Sequence, residues 1–180
     1  MLNVQHYTFH SLTTEQIDRA FELMIVAYGL TEVEIWGADY LRMSKEQFIE
    51  VIKSRGIIIA FLDDQLVGSI SVYPLPNNKY GFGLLNADFS QSGKGIGSSL
   101  VKAAERFAYE NGAHSMVIEI LRPKAFSIPA KEKLKSWYTT LGYGFIETFD
   151  FVEYKPYELE KSKDLVNPSV FDVYEKVLVE

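Results

Sequence analysis

Ser92-Gly93-Lys94-Gly95-Ile96-Gly97, set between the apolar run Phe82 to Ala87 and the amphipathic stretch Ser98 to Glu110, decides how this chain is read. Three glycines at alternate positions strip Cβ atoms from a tight turn. The backbone there is free to approach a ligand and to take up angles that other residues avoid. Downstream, Leu100, Val101, Ala104, Phe107 and Ala108 recur at helical spacing and form one apolar face. A glycine turn feeding a helix N-terminus presents unpaired N–H groups and the positive end of a helix dipole, which together bind anions. Strand, glycine turn and helix in this order point to a phosphate-bearing cofactor.

Two familiar phosphate motifs are excluded by position. The nucleoside-triphosphate loop needs G-x-x-x-x-G-K-[ST], but Asp88 stands five before Gly93 and Gly95 follows Lys94. The dinucleotide fingerprint G-x-G-x-x-G begins at Gly93 and Gly95 and ends on Ser98 instead of glycine. The segment resembles the acetyl-CoA loop of the GCN5-related N-acetyltransferase (GNAT) family, whose pattern runs Gln/Arg-x-x-Gly-x-Gly/Ala. Gly95 and Gly97 match its two small positions, and Ser92 replaces its Gln or Arg. A second stretch, Trp137-Tyr138-Thr139-Thr140-Leu141-Gly142-Tyr143, resembles the family's aromatic-Tyr-x-x-Leu-Gly-Phe/Tyr segment. Some members carry an Asn seven residues before that tyrosine, where this chain has Lys131.

The pattern along the chain extends the resemblance to nearly its whole length. A strand is predicted over Val4 to Phe9, and helices from the capping signals Thr13-Thr14-Glu15-Gln16 and Ser44-Lys45-Glu46-Gln47. The first helix should stop at Gly29, and the second should end near Arg55-Gly56. A hairpin follows, Gly56 to Leu62 and Leu66 to Tyr73 around Asp63-Asp64-Gln65, then a turn over Pro74 to Asn78 and a strand over Tyr80 to Asp88. Ser115 to Leu121 is nearly all apolar, as a strand covered on both faces should be. A short helix over Lys131 to Leu141 and strands over Gly144 to Phe151 and Val170 to Leu178 complete the order. The fold class that the resemblance implies is α/β (α+β), a mixed, mostly antiparallel sheet flanked by helices, with residues 1–180 as one N-acetyltransferase domain.

Composition bounds the rest. The 180 residues are 47% hydrophobic and 23% charged, globular values, and no apolar stretch approaches the length that spans a bilayer. The opening residues lack the basic start and apolar centre of a signal peptide. The absence of cysteine excludes disulfides and thiolate metal sites and fits a reducing cytoplasm. A net charge of −6 argues against coating nucleic acid. Neither membrane nor nucleic-acid partners are expected, and no metal is implied.

The resemblance implies transfer of an acetyl group from acetyl-CoA, the cosubstrate, to a primary amine by direct attack. The amine has to be neutral. At a pKa of ~10.4, roughly one alkyl ammonium in a thousand or fewer is neutral at pH 7, a handicap of about 4 to 5 kcal/mol that a carboxylate acting directly or through water relieves. Main-chain N–H groups of Ser92, Gly93, Lys94, Gly95, Ile96, Gly97 and Ser98 would cradle the pyrophosphate. Leu85 would pair with the cofactor's amide arm, Ala87 would give an oxyanion donor worth ~3 to 4 kcal/mol, and Asn86 lies between them. Tyr138 corresponds to the family's proton donor to the departing thiolate; Leu134, Trp137, Tyr138 and Leu141 also form an apolar helix face by spacing alone.

Phe82-Gly83-Leu84-Leu85 lacks the glutamate that many members carry in the fourth strand. Glu119, the only charge within Met116 to Leu121, is therefore either the base or half of an ion pair. Glu32, Glu34 and Asp39 either hold a cationic acceptor or form a solvated loop, and Trp36 and Tyr40 either flank a substrate or plug the core. The acceptor is expected to be a small-molecule amine. A protein or peptide N-terminus, or a non-catalytic CoA-binding sensor on the same fold, are the alternatives. The Tyr/Lys/Glu-rich connection from Phe149 to Asn167 is expected to act as a lid or as a homodimer contact.

Overall fold

The computed structural model describes residues 1–179. In chain order it contains β1 (Leu2–Tyr7), α1 (Thr14–Thr31), α2 (Val33–Trp36), α3 (Lys45–Arg55), β2 (Ile57–Leu62), β3 (Gln65–Leu75), β4 (Lys79–Ala87), α4 (Ile96–Glu110), β5 (Ser115–Pro123), α5 (Pro129–Thr140), β6 (Gly144–Asp150), α6 (Phe151–Tyr154), α7 (Leu159–Ser162) and β7 (Ser169–Val177). The architecture is the expected one, mixed α/β with mostly antiparallel strands flanked by helices. The described residues divide into two compact units, one of residues 1–28, 41–116 and 177–179, the other of 29–40 and 117–176.

In the first unit the strands run β1-β2-β3-β4, each antiparallel to its neighbour. Ile57, Ile58, Ile59 and Ala60 are all buried, so β2 is apolar without alternation because both its faces are covered. One face packs on Ile17, Ala20, Leu23 and Met24 of α1 and Phe48 and Ile52 of α3. Losing a buried side chain such as Phe48 costs about 3 to 5 kcal/mol. The β2–β3 turn places Asp63 at φ 47° and Asp64 at φ 67°, the paired positive values of the two-residue turn whose twist suits a hairpin.

Both helix starts read from the sequence are reciprocal caps. Gln47 N donates to Ser44 Oγ at 3.1 Å while Ser44 N donates to Gln47 Oε1 at 2.9 Å. Thr13 and Gln16 make the same exchange. Gly29 does not stop α1, which continues to Thr31. A single glycine costs only ~1 kcal/mol in a helix, and the packed face of the preceding turns exceeds that. Likewise β3 runs through Pro74 to Leu75, with Pro74 opposite Tyr80 at the hairpin end.

In the second unit β7 lies between β5 and β6, and β6 and β7 pair antiparallel from Gly144 opposite Glu175 to Asp150 opposite Val170. Asp172, buried on β7, accepts from Arg122 of β5 (Nε 2.5 Å, Nη2 3.1 Å) and from Thr148 Oγ1 of β6 at 2.6 Å. Burial pulls its carboxyl upward, but the Arg122 and Thr148 hydrogen bonds win and hold it below the usual range. The connection after β6 is ordered as α6, a 3₁₀ turn at Pro156–Glu158, and α7. It packs on residues around α2: Val166 N donates to Ile35 O at 2.9 Å, Asn167 Nδ2 to Glu34 O at 2.7 Å, and the Lys161 ammonium lies 5.5 Å from the Trp36 ring centre.

Candidate cofactor and active site

The glycine loop of the first unit is built as its sequence requires. β4 ends at Ala87, and Asp88 opens a 3₁₀ turn over Phe89–Gln91 by accepting from Ser90 N at 2.9 Å and Ser90 Oγ at 2.7 Å. Arg19 Nη2 of α1 holds the same carboxylate at 2.8 Å, and Asp88 N donates to Val67 O at 2.7 Å. The chain then passes Gly93 at φ 81° and reaches Gly95 at φ 71° as the N-cap of α4. Gly95 has no side chain to cap the first turn, and that turn carries no acidic residue. Its first N–H groups are thus left without a side-chain cap at the positive end of the helix dipole, the arrangement by which a helix start can hold an anion. A Cβ at Gly93 or Gly95 would meet nothing within 4 Å; the glycines serve backbone angle and an open approach. Gly68 serves a close approach, since a Cβ there would lie 2.6 Å from the Asn86 main-chain oxygen and 3.1 Å from both Ile96 and Leu100 of α4. Lys94 is exposed and donates to Gln91 Oε1 at 2.6 Å.

α4 buries Leu100, Val101, Ala104 and Ala108 of the face read from spacing, with Phe107 half-buried. It begins at Ile96, two residues ahead of the expected Ser98, because left-handed Gly95 turns the chain into the helix there. Ser98 is thus inside the first turn.

Upstream of the loop, β4 leaves the regular ladder. Ser69 pairs with Asn86 and Ser71 with Gly83, so Leu84 and Leu85 together face the single residue Ile70. Leu84 stands at φ 55°. This is a bulge, and its extra residue is released from the β3 ladder. Leu85 and Ala87 are half-buried while Leu84 and Asn86 are buried.

The second unit holds the remaining candidates. Tyr138 of α5 is 5% exposed, with its ring 4.9 Å from Trp137 and 5.8 Å, edge-on, from Tyr143. Tyr143 N donates to Tyr138 O at 3.1 Å, closing α5. Lys131 donates to Glu32 Oε2 at 2.7 Å, with the two side chains 7% and 4% exposed. Glu32 is therefore in a buried ion pair and not on a solvated loop. Glu119 lies 2.8 Å from Lys155, and Tyr154 is pushed well above its ordinary value, first by burial and then by the Glu119 charge. Glu34 is exposed; Trp36 is buried and stacked on Tyr40 at 4.9 Å, edge-on to Phe151 at 5.9 Å.

The structure thus gathers Leu85, Asn86, Ala87 and residues 92–98 along one strand, loop and helix start, and groups Glu34, Trp36 and Tyr40 around α2 in the second unit. Sequence reasoning missed Asp88 and Arg19, which anchor the loop, although Asp88 followed by Ser90 carries the signal of an Asx turn. Leu84 carried no signal, since leucine is a poor occupant of the left-handed region.

Residues 18–134 match the model of the acetyltransferase (GNAT) family. The chain belongs to that family, whose members use acetyl-CoA. No curated protein matches it in sequence. Among solved structures it is similar to Ard1 from Thermoplasma volcanium, with TM-score 0.69, 10% identity, and 99% of each chain covered. Ribosomal-protein-alanine N-acetyltransferase from Brucella melitensis superposes with TM-score 0.66 at 15% identity over 98% of this chain and 99% of that one. A Bacillus anthracis str. Ames protein classed as a streptothricin acetyltransferase, solved with acetyl coenzyme A, gives TM-score 0.53 at 19% identity over 69% of this chain and 62% of that one. At these identities the likeness establishes the fold. Among the described residues, no helix is long and apolar enough to cross a membrane.

Proposed function

We propose that this protein is an N-acetyltransferase that moves the acetyl group of acetyl-CoA to the primary amine of a small molecule by direct attack, the 180 residues acting as one catalytic domain. The observation that carries the proposal is the uncapped start of α4 behind left-handed Gly95, directly after a bulged β4. Main-chain N–H groups of residues 93–98 hold the pyrophosphate there, where an anion meets N–H donors and a favourable dipole without an acidic neighbour in the turn. The released backbone at Leu85 meets the amide arm, and the Ala87 N–H steadies the carbonyl oxygen as it gains charge.

Tyr138 is assigned the departing thiolate. A phenol at ~10 is about 2 kcal/mol short of protonating a thiolate at ~8.5, so its first contribution is a hydrogen bond. Glu119, already committed to Lys155, serves as base only if that pair opens. Exposed Glu34 and Asp39 support a cationic small-molecule acceptor. Incubation with acetyl-CoA and a panel of amines, following free thiol, tests the proposal: amine-dependent release supports it. Calorimetric uptake of acetyl-CoA without release would favour a sensor, and no uptake would refute the cofactor assignment.

A further inference from the structure

Leu84 is 7% exposed and stands at φ 55°, an angle that places a leucine under strain unless its surroundings hold it. One side chain reaches its carbonyl. Asn86 Nδ2 donates to Leu84 O at 2.9 Å and to Ser69 Oγ at 2.9 Å. Because a main-chain carbonyl only accepts, the atom facing it has to be the amide nitrogen, which settles the orientation of the Asn86 side chain. Both of its N–H groups are then used inside the strand pair, and Oδ1 is left buried without a partner, in a residue 3% exposed. An unmet buried acceptor lowers stability, and an apolar residue would fill the same space without that cost. What the apolar residue lacks is a donor for Leu84 O.

We propose that Asn86 is a positioning residue for the acyl transfer: its amide pins the Leu84 carbonyl, keeps Leu84 in the left-handed region, and so fixes the direction in which the Leu85 backbone leaves the β3–β4 ladder to meet the amide arm of acetyl-CoA. The role rests on the cofactor assignment made for the neighbouring loop. Asn86 acts through the backbone of Leu84 and Leu85. Ser69 is its second partner and makes no bond to the bulge, so Asn86 and Ser69 should differ sharply on replacement.

Two readouts test this, one of them independent of any cofactor. Crystal structures of Asn86→Leu, which keeps the branched outline and removes the donor, and of Asn86→Ala should show Leu84 leaving positive φ while the flanking pairs Ser69–Asn86 and Ser71–Gly83 keep their register. In acetyl-CoA kinetics either variant should raise KM for acetyl-CoA by about tenfold or more, as expected for a displaced binding group, whereas Ser69→Ala should stay within about twofold. Adding Leu84→Gly to Asn86→Ala should bring KM back toward the native value while lowering Tm further, since glycine takes positive φ unaided and its loss of packing destabilises the core. A void at position 86 acting only on stability would move both quantities the same way. The role is overturned if Leu84 keeps its angle in both single variants, or if their KM matches that of Ser69→Ala. If native protein takes up no acetyl-CoA, the cofactor assignment and the positioning role fall together, and the Leu84 angle alone still decides whether Asn86 holds the bulge.

Discussion

The β4–loop–α4 segment of the first unit carries most of the candidate residues, the α2 region of the second unit carries Glu34, Trp36 and Tyr40, and the two are built by different means. The first is shaped mainly by neighbours in sequence: left-handed Gly95 turns the chain into the helix that begins one residue later and Asp88 accepts from Ser90, with Arg19 and Val67 tying Asp88 down from farther along the chain. The second is held by partners far apart, such as Lys131 and Glu32, separated by 99 positions. Local backbone rules shape the proposed cofactor cradle, whereas the proposed acceptor-side residues sit where long-range packing puts them. Perturbing each region should therefore produce different symptoms, binding defects in the first and stability defects in the second.

The largest effect expected is on stability. Lys131→Met leaves Glu32 buried without its ammonium and should cost about 3 to 5 kcal/mol, lowering Tm by roughly 6 to 20 °C. The double variant Glu32→Gln, Lys131→Met should recover much of that. A loss of acetyl-CoA affinity without a fall in Tm would break the contrast between the two regions. Next comes Tyr138→Phe, which should reduce turnover by about a hundredfold while acetyl-CoA affinity measured by calorimetry changes little. Unchanged turnover on an accepted amine would remove Tyr138 from the chemistry and leave it as a packing residue against Trp137 and Tyr143.

What was legible in the sequence follows the same division. The glycine loop, the face of α4, both capping boxes and the Trp137–Tyr143 segment depend on spacings of a few residues, which a sequence displays directly. Glu119 showed as a lone charge in an apolar strand, but its partner Lys155 lies in an excursion whose packing no local pattern encodes. Trp36 and Tyr40 read equally well as a substrate wall or a core plug; the burial of Trp36 against Phe151, and its ring beneath Lys161, come from residues more than a hundred positions away. The Leu84 bulge was hidden for a different reason. Apolar β4 residues predict an ordinary strand, and the angle is held by one amide two residues on.

A sharper probe of the first region is Gly95→Ala. A Cβ there meets nothing within 4 Å, so the cost is conformational alone, about 1 to 2 kcal/mol for a residue forced to positive φ. The variant should remain folded, with its affinity for acetyl-CoA reduced by about tenfold, as expected if the same 1 to 2 kcal/mol falls on the binding-competent loop. Equal affinity would mean that the loop's angles do not matter to the cofactor.

The smallest effect expected is at Asp88, and it carries a pH signature. Its carboxyl lies below the usual value of 3.8, chiefly because Ser90 donates to it, with burial opposing and Arg19 assisting. A depressed carboxyl stabilises the fold above the unfolded-state value and loses that contribution as pH falls through the folded one. Asp88→Ala should therefore cost about 1 kcal/mol near neutrality, the usual loss for a capping side chain. In chemical denaturation the gap between native and variant protein should narrow as pH drops below 3.8. A gap that stays constant into acid would assign the loss to the missing contacts of the uncharged side chain. A gap that widens would mean that the carboxylate is strained in place, held by the loop instead of holding it.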